Sequence, residues 1–247
     1  MRVDVLTYNV GNGLAGPSRL ADLLARAATD VIGLQELSRS QAEVLAAELA
    51  SLYPFQVLAP TGFSGKGVLS RFPILSSEEL HLYPGRPDLR IMAELGGTRL
   101  QVLVAHPPPP RLTGARLAFD GLAAAQLATL AELALEHSPS VLLGDFNMTP
   151  RNPVYARFVA AGLVDAFAAA GAGRGWTLPR RVGNAARFQY GLHRVPLRPV
   201  ARVDYIWCTP GVQPEAAWVG DDGGSDHLPV GARLVLPLAD VLPQEAV

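Results

Sequence analysis

Residues 140–147 read SVLLGDFN. Val141 to Gly144 carry no polar side chain, and the run then closes on Asp145 and Asn147. An unbroken apolar run this short suits a strand covered on both faces, because a strand with one wet face would alternate. The acid and amide at its end fall where the chain leaves the sheet, which is where layered α/β proteins collect functional polar groups.

The same form recurs along the chain. VDVLTYN (3–9) ends in Asn9, DVIGLQE (30–36) in Gln35 and Glu36, and RLQVLVAH (99–106) in His106. GVLSRF (67–72) and PVGARLVL (229–236) are further strands, and RVDYIWCT (202–209) is another with Asp204 near its start. PVGARLVL follows GGSDHL, which supplies Asp226 and His227. LGGT (95–98) predicts a hairpin turn. Between strands, SRLADLLARAAT (18–29) starts with a Ser N-cap candidate and puts Leu20, Leu23, Leu24 and Ala27 on one stripe, as a helix would. Residues 115–137 predict the longest helix, with Phe119, Leu122, Leu127 and Leu130 on one face. Strands in excess, with helices between them, imply an α/β sandwich of packed sheets with helices outside. HPPPPRLTG (106–114) is a stiff extended connection. No repeat or linker divides the chain, so a single domain over 1–240 with a short tail, 241–247, is expected.

Composition narrows the class. A chain of 247 residues, 49% hydrophobic and 17% charged, can bury a large core. A net charge of −1 argues against a polycation that coats nucleic acid. Cys208 is the one cysteine, so no internal disulfide forms, and it reads as a small buried hydrophobe. Twenty arginines stand against one lysine, Lys66, a bias that suggests a genome before a function. MRVDVLTYN reads as a strand rather than a signal peptide. No apolar run approaches the roughly 20 residues that span a bilayer. A cytoplasmic, monomeric protein is the expectation.

Singly, each polar strand end has an ordinary reading as a turn former or surface acid. Collectively they are acids, amides and imidazoles, the groups that hold a hard divalent cation and manage protons on a phosphate ester. TYN (7–9), LQE (34–36), GVLSRFPI (67–74), VAH (104–106), GDFNMTP (144–150), RVDYIW (202–207) and SDHLPV (225–230) resemble, in order, the motifs of the endonuclease/exonuclease/phosphatase superfamily. The resemblance implies a four-layer α-β-β-α sandwich. It implies Glu36 as the principal metal carboxylate, with Asn9 and Asp226 near the same ion, Mg²⁺ by preference and Mn²⁺ as a substitute. It implies His227 as the catalytic imidazole, either general base or imidazolium, oriented by Asp204. Asp145 would position the nucleophile or leaving group, Asn147 would donate to a phosphate oxygen, and His106 would be a further phosphate contact or general acid. Glu78 and Glu79 are candidate partners of His106 by region only.

The substrate is less constrained. From Ala166 to Val203 there are seven arginines (174, 180, 181, 187, 194, 198 and 202) and no acid, with Trp176, Phe188, Tyr190 and His193 among them. This reads as a rim for an anionic substrate or as a solvated loop of an arginine-rich chain. On the first reading Trp176, Thr177, Arg180, Arg181 and Arg202 contact a phosphoester, whether a small molecule, a lipid headgroup or nucleic acid. The expected function is a Mg²⁺-dependent phosphodiesterase or phosphatase, with a nuclease as the alternative. A non-catalytic binding protein on the same fold is the second alternative, disfavoured because Glu36, Asp145 and His227 are all present.

Overall fold

The computed structural model describes residues 1–114, 116–182 and 195–237. Arg187, Phe188, Tyr190, His193, Arg194 and the expected tail lie outside them. Two six-stranded sheets face each other. The first contains β1 (Arg2–Asn9), β2 (Val31–Gln35), β3 (Phe55–Ala59), β4 (Lys66–Ser70), β13 (Gln213–Val219) and β14 (Val230–Val235), in the order β13-β14-β1-β2-β4-β3. The second contains β5 (Ile74–Leu80), β6 (Asp88–Leu95), β7 (Thr98–Ala105), β10 (Ser140–Asp145), β11 (Val164–Asp165) and β12 (Asp204–Cys208), in the order β11-β12-β10-β7-β6-β5. A separate hairpin joins β8 (Arg111–Thr113) to β9 (Arg116–Ala118).

Alternation along each strand divides the core into three. Val3 and Val5 of β1, Val102 and Val104 of β7, Val141 and Leu143 of β10, and Ile206 and Cys208 of β12 fill the space between the sheets. Leu6 and Tyr8 of β1 point outward, against α1 (Pro17–Ala27) and α2 (Arg39–Glu48). Leu142, Tyr205 and Trp207 point outward from the second sheet, with residues of α3 (Gly121–Glu136) and α4 (Pro153–Ala160). The expected α-β-β-α layering is therefore present. The apolar strands of the sequence are two-face strands, and Cys208 is buried in the central layer.

The long helix starts later than its periodicity predicts. Residues 111–118 form the β8–β9 hairpin, and Asp120 is the N-cap, accepting from the Ala123 amide at 2.8 Å. Gly96 and Gly97 make the expected turn between β6 and β7, both at positive φ.

Candidate active site

Strand direction brings the polar ends together. β1 and β2 run parallel, as do β7 and β10, so Asn9, Glu36, His106 and Asp145 all leave at one end of the sandwich. β12 is antiparallel to β10, and its first residue, Asp204, pairs with Asp145. β14 is antiparallel to β1, which places the preceding loop, with Asp226 and His227, at the same end. Parity completes the arrangement. Asn9 continues the inward face of Val3 and Val5, His106 that of Val102 and Val104, Asp145 that of Val141 and Leu143, and Asp204 that of Ile206 and Cys208.

The side chains converge on Asp145. Asn9 Nδ2 donates to Asp145 Oδ2 at 3.0 Å and to Glu36 Oε1 at 3.3 Å. His106 Nε2 lies 3.4 Å and His227 Nε2 3.6 Å from the same Asp145 oxygen. His227 Nδ1 is 3.0 Å from Asp204 Oδ2, so Asp204 fixes the ring and leaves Nε2 toward the site. Asp145 Oδ1 accepts from the Asn147 amide at 2.9 Å, and Asn147 Nδ2 donates to Pro107 O at 3.1 Å. Glu36 and Asn147 both sit at positive φ, 55° and 50°, a conformation non-glycine residues hold only when their surroundings enforce it. Gly11, at φ 67°, lets the chain after β1 pass the loop: a Cβ there would stand 3.2 Å from Asp226 Oδ1.

Electrostatics follow from this packing. Burial disfavours protonated His227, but the Asp204 and Asp145 carboxylates outweigh it and push its pKa up to about 10. Burial would raise Asp145, yet the charges of His227 and then His106 hold it well below the usual carboxylate range. Glu36 is raised, first by burial and then by Asp226 and Asp145, with His106 opposing. A cation among these oxygens would relieve that repulsion, and the donors are hard. Asp145, Asp204 and His227 offer ligand atoms within 4.8 Å of one another and could hold a metal.

His106 has an acidic neighbour that the sequence reading missed. Asp88 Oδ1 accepts from the His106 amide at 3.2 Å, and its Oδ2 from Gln126 Nε2 at 2.7 Å. Glu78 pairs with Arg90 and Glu79 lies 4.0 Å from His81, so neither regional candidate stands beside His106. Lys66 was also unassigned; it is buried opposite Gln35, donates to Ser64 O at 2.9 Å, and burial lowers its pKa to about 8 against the pull of Asp88.

The expected substrate rim is placed differently. Thr177 is fully buried. Arg202 Nη1 bonds Asp165 Oδ2 at 2.6 Å beneath Tyr205. Arg180 Nε and Arg181 Nη2 reach Asp222 at 3.0 and 2.5 Å. These four thus spend polar contacts or bulk inside the protein. Trp176 is half-buried, with the Arg174 guanidinium 4.4 Å from its ring centroid.

The profile of the "Endonuclease/Exonuclease/phosphatase family" matches residues 6–227. The chain belongs to the endonuclease/exonuclease/phosphatase family. Solved structures support the fold. A family protein from Beutenbergia cavernae DSM 12333 is 22% identical with a TM-score of 0.69, over 95% of this chain and 72% of that one. One from Bacteroides vulgatus is 18% identical with a TM-score of 0.71, over 96% and 100%. D. rerio TDP2 complexed with single-strand DNA product is 20% identical with a TM-score of 0.69, over 95% and 99%. No curated protein matches the chain. By family the protein is a phosphoric ester hydrolase, and its acid–imidazole cluster fits metal-dependent hydrolysis. No described helix is long and apolar enough to cross a membrane.

Proposed function

We propose that this family member is a Mg²⁺-dependent phosphodiesterase or phosphatase, with Mn²⁺ as a workable substitute. The observation that carries the reading is the convergence of Asn9, His106 and His227 on one Asp145 oxygen, with Glu36 bonded to the same Asn9. Glu36, Asn9 and Asp226 would hold the cation, which would supply Lewis acidity at a phosphoryl oxygen. Asp145, kept ionised by His227 and His106, accepts a hydrogen bond from the attacking water and orients it, the water's proton leaving to solvent as the P–O bond forms. His227, protonated at neutral pH in the free protein, donates from Nε2 to a phosphoryl oxygen as charge builds there. Asp204 holds that imidazolium in orientation, and Thr177 packs behind the pair. His106 Nε2, 3.4 Å from the same Asp145 oxygen, is assigned to protonate the leaving oxygen. Asn147, whose Nδ2 donates to Pro107 O in the free protein, is assigned a phosphate contact. Trp176, with the Arg174 guanidinium over its ring, is assigned a substrate contact.

A nuclease is the second reading, favoured by the fold shared with a structure that holds a single-strand DNA product. The test is hydrolysis of bis-p-nitrophenyl phosphate with Mg²⁺ and with EDTA, followed by plasmid DNA, single-stranded RNA, sphingomyelin and inositol phosphates under the same conditions. Turnover of the generic diester that EDTA abolishes and Mg²⁺ restores is expected. Turnover that persists in EDTA refutes the metal role. Cleavage confined to nucleic acid selects the nuclease.

A further inference from the structure

The loop between β13 and β14 carries Asp226 and His227 without regular secondary structure of its own. Two sets of anchors define its path. Ser225 ties it to β1, its Oγ donating to Asn9 O at 2.7 Å and its amide to Tyr8 Oη at 3.4 Å. The second set comes from the segment 177–181. The Leu228 amide donates to Thr177 O at 3.0 Å, and the Arg180 amide to Asp226 O at 2.5 Å. Arg181 Nε donates to Ser225 O at 2.7 Å, while its Nη2 grips both carboxylate oxygens of Asp222 at 2.5 Å. Asp222 Oδ1 in turn accepts from the Gly224 amide at 2.8 Å. One buried guanidinium thus joins the start of the loop to its centre.

We propose that Arg181, with Asp222 as its counter-ion, is a positioning residue that sets the Ser225–His227 backbone so that Asp226 and His227 face the site, and that it does not bind substrate. This rests on the reading that those two side chains serve phosphoester hydrolysis. A guanidinium suits the task because its planar fork fixes two directions at once, which a point-charge ammonium cannot. Its loss leaves the Ser225 carbonyl without that donor and Asp222 with less of its compensating charge, so the loop relaxes. Arg181 is 8% exposed, and a group that buried offers little face to a phosphate. Displacement of a reacting group by about 1 Å can cost on the order of a hundredfold in rate.

Two readouts separate positioning from substrate binding in Arg181→Met, Arg181→Lys and Asp222→Asn. The first is amide hydrogen exchange, which needs no turnover. Residues 224–228 of Arg181→Met should exchange at least about tenfold faster, with β1 and β10 unchanged. The second is steady-state hydrolysis of bis-p-nitrophenyl phosphate. The kcat should fall about 10- to 100-fold, with KM within about twofold and its salt dependence unchanged. Arg181→Lys should stay impaired despite its charge, and Asp222→Asn should show the same kcat pattern. If Arg181→Met does not fold, the other two variants carry the comparison. Unchanged exchange at 224–228 overturns the proposal. So does a raised KM with flatter salt dependence and intact kcat, the signature of an arginine on the substrate. A wild-type protein without turnover would remove the reading of the site, and the exchange result would still judge the clamp.

Discussion

Asp145 shows how little of a residue's role lies in its own identity. The acid is legible in GDFN, but its single oxygen contacted from three sides depends on residues 136 positions upstream and 82 downstream. Asp145→Asn keeps the shape and removes the charge. We expect it to fold and to lose about 10² to 10³ in kcat, as removal of one preorganised group typically does; circular dichroism and diester hydrolysis check both, and near-wild-type rates would exclude its role. Lys66 gives a prediction in pH. Its folded pKa, about 8, lies below the unfolded value of 10.5, so between these the unfolded chain binds the extra proton. Stability should therefore rise as pH goes from about 8 to about 10.5. Against Lys66→Met the wild type should recover about 2 to 4 kcal/mol over that window, measured by urea unfolding. A difference independent of pH would contradict a buried, charged lysine. Asp88 was not legible: RPDLRI shows an acid among arginines, and nothing local says that it faces the His106 amide.

At the scale of elements, continuous apolar runs announced the central strands, because burial on both faces leaves only that pattern. The start of α3 was misread for a related reason. Phe119 falls at a spacing that also fits the face of Leu122 and Leu127, yet the residues just before it form the β8–β9 hairpin, where Leu117 is 63% exposed. The capping aspartate was the available signal. Asp120→Ala should therefore cost about 0.5 to 2 kcal/mol in chemical denaturation, because it removes an N-cap. Were residue 120 inside a helix beginning at 115, the same change would be neutral or stabilising. Arg180 and Arg181 illustrate the opposite limit. A run of arginines without acids suggests a partner outside the protein, while their carboxylate stands about 40 residues on, at Asp222.

For the whole molecule, the site is an outcome of topology. Two parallel pairs and two antiparallel neighbours bring six strand ends to one mouth, and parity turns Asn9, His106, Asp145 and Asp204 inward. Order and residue types were readable; the shared oxygen of Asp145 was not, because it requires both sheets at their packing distance. Gly144 sets a spacing within the second sheet, where β10 runs beside β7. A Cβ there would stand 2.0 Å from Ala105 O, so Gly144→Ala should force β7 and β10 apart and cost about 3 kcal/mol or more, seen as a lowered unfolding midpoint. The most direct measurement is a Mg²⁺ titration of diester hydrolysis after EDTA treatment, in the wild type and in Glu36→Gln. Saturable activation that Glu36→Gln shifts at least about tenfold toward higher Mg²⁺ is predicted. Identical Mg²⁺ dependence in the two proteins, or turnover without any metal, would contradict a cation held at the mouth between the sheets.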